Sequence, residues 1–245
     1  MVIDAHVHAD QYENRVDAIV EIEREHIKTV AVSMDLSSYR EICSMADLTS
    51  MIIPGLGVHP WISHRFLDRL DEIDDQINGA QLIGEVGLDR LWAPKEYFET
   101  QRPVFEYFCR KSLRYDKLMN IHTKDAEAEV LEILRASHIE RSIIHWYSGP
   151  EDLIKEYLAI GSCFTLSVDI LRSTTSDGIS SLIPLDRVLL ETDNPGGCSW
   201  LYERAGIPCD IKEVYRRAAK LYGLPLDEFE SVIEQNWLRI TSQKS

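Results

Sequence analysis

The sequence has little positive charge and no long apolar run. Its 26 Lys and Arg stand against 41 Asp and Glu, a formal net charge of -15 over 245 residues, which argues against a broad electrostatic grip on a membrane or on duplex DNA. No apolar run approaches the ~18 residues of a membrane span, and residues 1–10 lack the lysines and apolar centre of a signal peptide. We therefore expect a cytoplasmic protein, with no membrane partner, that holds any polyanion only locally.

Cysteine is also scarce and irregularly placed. The 5 cysteines are scattered through apolar segments and include no Cys-x-x-Cys, so neither a disulfide framework nor a cysteine zinc site is indicated. A reducing compartment fits this pattern best. Repeats, low-complexity tracts and linkers are missing too, and we expect residues 1–245 to form a single domain.

Short apolar runs rich in β-branched residues recur between longer amphipathic segments, which is typical of a parallel sheet with crossover helices. Eight such units in about 245 residues predict an α/β fold of the TIM (β/α)8 barrel type, with its active site at the C-terminal ends of the strands. A doubly wound sheet is the competing fold, but no Gly-x-Gly-x-x-Gly follows a strand. Residues Pro195–Pro208 are predicted as one long loop. The predicted strands are Val2–Ala5, Thr29–Met34, Ile52–Val58, Gln81–Glu85, Lys117–Ile121, Arg141–His145, Cys163–Ser167 and Arg187–Glu191.

Potential metal ligands follow or end several of these strands. In the His-x-His of the first strand both side chains point to one face, because side chains alternate along an extended backbone. Taken singly, each candidate is more often a structural residue, but the coincidence at one barrel rim predicts a metal site. Imidazole and carboxylate ligands without thiolate suit zinc, manganese or iron, and a bridging carboxylate also admits magnesium. The candidates are His6, His8, Glu85, His122, His145 and Asp193.

These motifs resemble those of the TatD-type metal-dependent deoxyribonucleases, a family of amidohydrolase-like barrels. The resemblance implies that the six candidates hold two divalent ions (Mg, Mn or Zn), that Glu85 bridges them, and that His59 lies near the substrate phosphate. It also implies cleavage of DNA, often single-stranded and from the 3′ end. The matching motifs run along nearly the whole chain: Asp4–Asp10, Gly57–Pro60, Gly84–Asp89, His122–Ala126, His145–Gly149, Ile183–Asp186, Leu190–Pro195 and Asn236.

Three positions depart from the family pattern: Lys124 replaces the usual arginine, Tyr147 the usual phenylalanine and Ala9 the usual leucine. Lysine keeps the positive charge but loses the two-pronged geometry that matches phosphate oxygens. The departures therefore bear on substrate preference and remove no ligand. Relatives of the family also occur in bacterial anti-phage gene clusters, so an antiviral role with protein partners stays open.

The expected reaction is in-line attack on a phosphodiester by a water that two metal ions activate. Glu85 and Asp193 are the predicted catalytic carboxylates, and Asp193 would also accept the proton of the water. His59, Lys124 and Arg90 are predicted to contact phosphate oxygens, although a solvated loop position explains Arg90 equally well.

Aromatic side chains follow several strand ends, at Trp61, Trp92, Trp146 and Tyr147. Their faces can stack on unpaired bases at ~1–3 kcal/mol each; the alternative for Trp146 is that it plugs the barrel mouth. Together with the low positive charge, this predicts a single-stranded substrate and a short, end-directed footprint.

Two other functions remain open. A metal-dependent amidohydrolase or lactonase acting on a small molecule uses the same barrel and the same His-x-His, but it commonly has a lysine where Glu85 stands. A nuclease-like subunit of a larger assembly would keep the same ligands. Assays on nucleic acids and esters separate the first alternative, and co-purification addresses the second.

Overall fold

Eight parallel strands form one sheet in the order β1 to β8, as a TIM barrel requires, so the predicted fold is confirmed. The computed structural model describes residues 1–172 and 174–242, and the side chains of residues 174–177 are not described. The strands are β1 (Val2–Val7), β2 (Ile27–Val32), β3 (Ile52–Leu56), β4 (Leu82–Asp89), β5 (Met119–Lys124), β6 (Ser142–Ile144), β7 (Cys163–Leu166) and β8 (Val188–Leu190).

Amphipathic helices follow the strands and pack on the outside of the barrel. In the described part of the chain they are α1 (Arg15–Arg24), α2 (Leu36–Ala46), α3 (Asp74–Gly79), α4 (Phe98–Tyr115), α5 (Glu127–Ala136), α6 (Glu151–Ala159), α7 (Thr174–Leu182), α8 (Gly196–Tyr202), α9 (Ile211–Leu221) and α10 (Leu226–Thr241). Among the described residues, none of these helices is both long and apolar enough to cross a membrane.

The prediction of one long loop over Pro195–Pro208 is wrong, because α8 lies within it. The Asn194 side chain accepts a hydrogen bond from the Cys198 amide at 3.2 Å, and the Gly197 amide donates to the Asp193 carbonyl at 2.7 Å. These bonds start a helix in a stretch whose glycines suggest a turn.

Strands β4 and β5 extend further than predicted. They stay paired up to Asp89 and Lys124, so that Glu85 and His122 lie inside strands and not at their ends. The register shifts between Ile83 and Val86. A bulge of this kind turns a side chain away from its regular direction, and Glu85 lies within it.

The ends of the sheet meet in a seam between β1 and the segment after β8. The Asp193 amide donates to the His6 carbonyl at 3.0 Å, and the His8 amide donates to the Asn194 carbonyl at 2.9 Å. Below them, the buried Asp4 carboxylate accepts hydrogen bonds from the Thr192 amide at 2.9 Å and hydroxyl at 2.7 Å. The seam therefore fixes the backbone of the first and the last candidate ligands relative to each other.

Two glycines allow neighbouring strands to approach closely at the centre of the barrel. A Cβ on Gly57 would lie 2.2 Å from the Glu85 carbonyl oxygen, and one on Gly87, where φ is +146°, would lie 2.1 Å from the His122 carbonyl oxygen. Both contacts are far below van der Waals distance, so any larger residue would separate the strands that carry Glu85 and His122.

Candidate metal centre

One oxygen of the buried Glu85 carboxylate faces three imidazoles. Glu85 Oε1 lies 2.8 Å from His122 Nδ1, 3.0 Å from His145 Nε2 and 3.4 Å from His59 Nε2. His122 and His145 also approach each other, with 3.1 Å between Nδ1 and Nε2. His59, predicted as a phosphate contact, thus lies beside the central carboxylate.

The other Glu85 oxygen faces the His-x-His pair. Glu85 Oε2 lies 3.1 Å from His8 Nε2 and 3.5 Å from His6 Nε2. Asp193 Oδ1 closes this side, at 3.5 Å from His6 Nε2 and 3.6 Å from His8 Nε2. The other five residues predicted as metal ligands therefore meet around the Glu85 carboxylate.

The imidazoles around Glu85 keep its buried carboxylate ionised. Burial opposes the ionisation of Glu85, yet the imidazoles of His59, His6 and His145 hold its pKa well below the usual range. Burial lowers the pKa of His59 and of His145. It acts the same way on His8, but the hydrogen bond and the charge of Glu85 outweigh it and raise the pKa of His8 to about 9. A cation entering the centre would take the place of a proton.

Several atoms of the centre are buried without a hydrogen bond in the described part of the chain, among them His6 Nε2 and His8 Nδ1. Buried polar atoms normally have a partner. Three groups of ligand atoms lie within 4.8 Å of one another, and their imidazole nitrogens and carboxylate oxygens fit a divalent ion such as zinc or manganese. The groups are His6–His8–Asp193, His6–Glu85–His145 and His59–Glu85–His122.

Asn120 orients the first histidine of the centre. Its Nδ2 donates to the Ala5 carbonyl at 2.8 Å, which leaves Oδ1 to accept from His6 Nδ1 at 2.8 Å. His6 therefore carries its proton on Nδ1, and the Nε2 lone pair points toward Glu85 and Asp193. No sequence pattern distinguishes this asparagine, since a polar residue within a buried strand has many roles.

Asp89 has the same effect on His122. Its Oδ2 lies 2.9 Å from His122 Nε2 and 2.7 Å from Trp61 Nε1, and its Oδ1 accepts from the amides of residues 91–93. Burial would raise the pKa of Asp89, but the hydrogen bond from His122 holds it well below its usual value. His122 Nδ1 is thereby left for Glu85. Asp89 ends the Gly84–Asp89 motif, a signal from which the sequence predicted no role.

Glu191 is a second carboxylate that the sequence did not single out, although it opens the motif that contains Asp193. It is fully buried, and burial raises its pKa to about 8. Its Oε1 lies 3.4 Å from His145 Nδ1. The Glu191 carboxyl group thus faces His145, but unlike Asp89 with His122 it makes no hydrogen bond to the ring among the described residues.

Three of the predicted substrate contacts lie at the mouth of the barrel. Lys124 Nζ donates to the Trp146 carbonyl and, at 3.2 Å, to Ser148 Oγ, and burial lowers the pKa of this lysine. Trp61 is 41% exposed although its indole N–H is bound to Asp89. Trp146 is partly buried and directly follows His145.

Two other predicted contacts lie away from this group. The Arg90 guanidinium pairs with Glu129 at 2.9 Å and donates to the Phe98 carbonyl at 2.9 Å. Tyr147 is buried, and its hydroxyl donates to the Pro150 carbonyl at 2.7 Å. The structure thus offers a packing role for both side chains.

A parallel eight-stranded barrel with imidazoles and carboxylates gathered inside its C-terminal rim defines the class of metal-dependent hydrolases. Within that class, the family model of TatD related DNases matches residues 3–242, and the chain belongs to this family.

Similar proteins align with nearly the whole chain. A metal-dependent hydrolase of Haemophilus influenzae is 26% identical over 96% of this chain and 97% of its own length. The human deoxyribonuclease TATDN3 is 25% identical over 98% of this chain and 94% of its own. Among solved structures, the TatD homolog YJJV of Escherichia coli K12 superposes with a TM-score of 0.89 at 19% identity, covering 98% of this chain and 97% of that one; this likeness supports the fold.

Proposed function

We propose that the chain is a metal-dependent phosphodiesterase that degrades single-stranded DNA from the 3′ end, acting as a single domain. The observation that carries the proposal is the division of the Glu85 carboxylate: Oε1 faces His122 and His145, and Oε2 faces His6 and His8. A carboxylate with each oxygen directed to its own set of nitrogens is suited to bridge two divalent ions, Mg, Mn or Zn. The proposed ligands are His6, His8, Glu85, His122, His145 and Asp193.

When bound, such ions supply a water that is acidic near neutral pH and neutralise charge on the phosphate. Asp193 would accept the proton of the attacking water, because its side chain is 22% exposed whereas that of Glu85 is 1% exposed. Asp193 is held in a left-handed conformation, with φ of 52°. Its amide and carbonyl are bound to His6 and Gly197, so the carboxylate is fixed where the mouth of the barrel opens.

Lys124 and His59 are proposed to contact the phosphate. Lys124 has three N–H donors and uses two of them within the chain. His59 Nδ1 accepts from the Trp61 amide at 3.2 Å, which leaves its Nε2–H directed into the centre.

The surface of the mouth supports a single-stranded substrate. Trp61 and Trp92 are 41% and 59% exposed, and flat aromatic faces bind bases that are not already paired and stacked. The net charge of -15 disfavours binding along an extended DNA duplex. The name of the human relative supports DNA as the substrate. The five free cysteines support the reducing cytoplasm as its location.

The test is a cleavage assay on the purified protein, stripped with a chelator and reloaded with Mg, Mn or Zn. The substrates are 5′-labelled single-stranded DNA, duplex DNA, RNA and a panel of esters and lactones. We expect metal-dependent shortening of single-stranded DNA from its 3′ end. Glu85→Gln should lose most of this activity, while Glu132→Gln, the same change on a surface side chain that is 67% exposed, should retain it. Turnover of esters with every nucleic acid left intact would favour the small-molecule hydrolase instead.

A further inference from the structure

Trp200 is a large exposed aromatic side chain that lies close to the candidate metal centre. It belongs to α8, which begins three residues after Asp193, and it is 67% exposed. Its ring centroid lies 5.7 Å from that of Trp146, with the two planes at 75°. Trp146 directly follows His145. The indoles of Trp146 and Trp200 therefore form an exposed aromatic corner, which adjoins His145 on one side and the segment after Asp193 on the other.

The backbone of Trp146 is held in an unfavourable conformation by its neighbours. Its φ is 37°, in the region that bulky residues avoid at a cost of roughly 1–3 kcal/mol. The Trp146 amide donates to Thr165 Oγ1 at 2.9 Å, and its carbonyl accepts from Lys124 Nζ. A strained tryptophan fixed from both sides next to a candidate ligand is typical of a functional position.

A positive charge adjoins this corner in an otherwise acidic chain. Lys124 Nζ lies 5.6 Å from the centroid of the Trp146 ring. Further along α8, the Arg172 guanidinium lies 4.5 Å from the centroid of the Tyr202 ring and donates to the Leu201 carbonyl, which fastens the end of the helix that carries Trp200. An aromatic face with a cation beside it matches a nucleobase and its neighbouring phosphate.

This corner is separate from the other exposed tryptophans of the mouth. Trp61 and Trp92 follow β3 and β4, whereas Trp146 and Trp200 follow β6 and β8. Since the strands are neighbours in numerical order, these two pairs lie on different sides of the rim. A single-stranded DNA that crosses the candidate metal centre would therefore contact exposed tryptophans on both sides of it.

We propose that Trp146 and Trp200 form a stacking subsite for one unpaired nucleobase next to the scissile phosphate. The subsite deepens the proposed function and rests on it. Stacking on Trp200 needs a base freed from its duplex neighbours, so the subsite selects single strands. Lys124 contacts a phosphate next to this base.

The test measures KM and kcat of the metal-loaded protein on an oligothymidylate and on an abasic sugar-phosphate chain of the same length. Trp200→Ala should raise KM for oligothymidylate by about 5- to 100-fold, in line with the loss of one stacked base, and this rise should largely disappear on the abasic chain. Trp200→Phe should restore most of the affinity. Leu113→Ala, which removes an exposed apolar side chain from α4, serves as the control.

The outcomes separate the two proposals. If the wild-type protein cleaves neither chain with any metal, the proposed function fails. If it cleaves oligothymidylate and Trp200→Ala has the wild-type KM, or raises KM equally on the abasic chain, the subsite is overturned while the nuclease function stands.

Discussion

The close approach of Gly57, after β3, to the backbone of Glu85 in β4 can be tested by substitution. Gly57→Ala would place a methyl carbon 2.2 Å from the Glu85 carbonyl oxygen and 2.5 Å from the Glu85 amide nitrogen. These are backbone atoms, which no side-chain rotation can move out of the way. The strand that carries Glu85 must therefore shift.

The size of that shift follows from the contact distances. Ordinary van der Waals contact begins near 3.4 Å, so Glu85 must move by about 1 Å, and overpacking of this kind costs roughly 1–3 kcal/mol of stability. A displacement of ~1 Å in a positioned group also costs on the order of 100-fold in rate. We expect Gly57→Ala to lose stability and metal affinity together, because the residue it displaces is the central carboxylate.

Urea unfolding and calorimetric titration with Mn²⁺ measure the two quantities. The matched control is Gly79→Ala at the end of α3, where an added Cβ meets nothing within 4 Å among the described residues, so we expect near wild-type values. A Gly57→Ala protein with wild-type unfolding midpoint and metal affinity would refute the close packing of β3 against Glu85.

Three further predictions concern single groups. Asp89→Ala should weaken metal binding about 10- to 100-fold by releasing the ring of His122; unchanged affinity in a calorimetric titration would make Asp89 purely structural. Below the His8 pKa of about 9, a metal must displace a proton, so apparent affinity should rise with pH toward that value and then level off; a flat profile in a chelator competition would contradict this. Tyr147→Phe removes the hydrogen bond to Pro150 and should cost ~1 kcal/mol in urea unfolding without altering KM for DNA; a raised KM would restore its predicted role at the substrate.

The barrel and its cluster of candidate ligands can be predicted from the sequence for a simple reason. Parallel strands in a barrel all end at one rim, so residues such as His8 and Asp193 meet there even though almost the whole chain separates them. A prediction needs only the order of strands and the residue types at their ends.

The residues that orient the candidate ligands cannot be predicted in this way, since their roles depend on neighbours far apart in the chain. Asn120 holds His6 across 114 positions, and no local pattern encodes that pair. Arg90 directly follows Asp89, and a step of one residue along a strand reverses the direction of the side chain. It therefore points to Glu129 on the helix layer.

The seam between β1 and the segment after β8 makes the candidate metal centre depend on closure of the barrel. His6 and His8 lie on one side of the closure and Asp193 on the other, joined by backbone hydrogen bonds. A chain in which the last strand has not docked therefore has an incomplete set of candidate ligands, whatever the state of the strands between. If an ion binds here, metal binding and barrel closure would stabilise each other through linkage, because the ion would connect the two ends of the sheet.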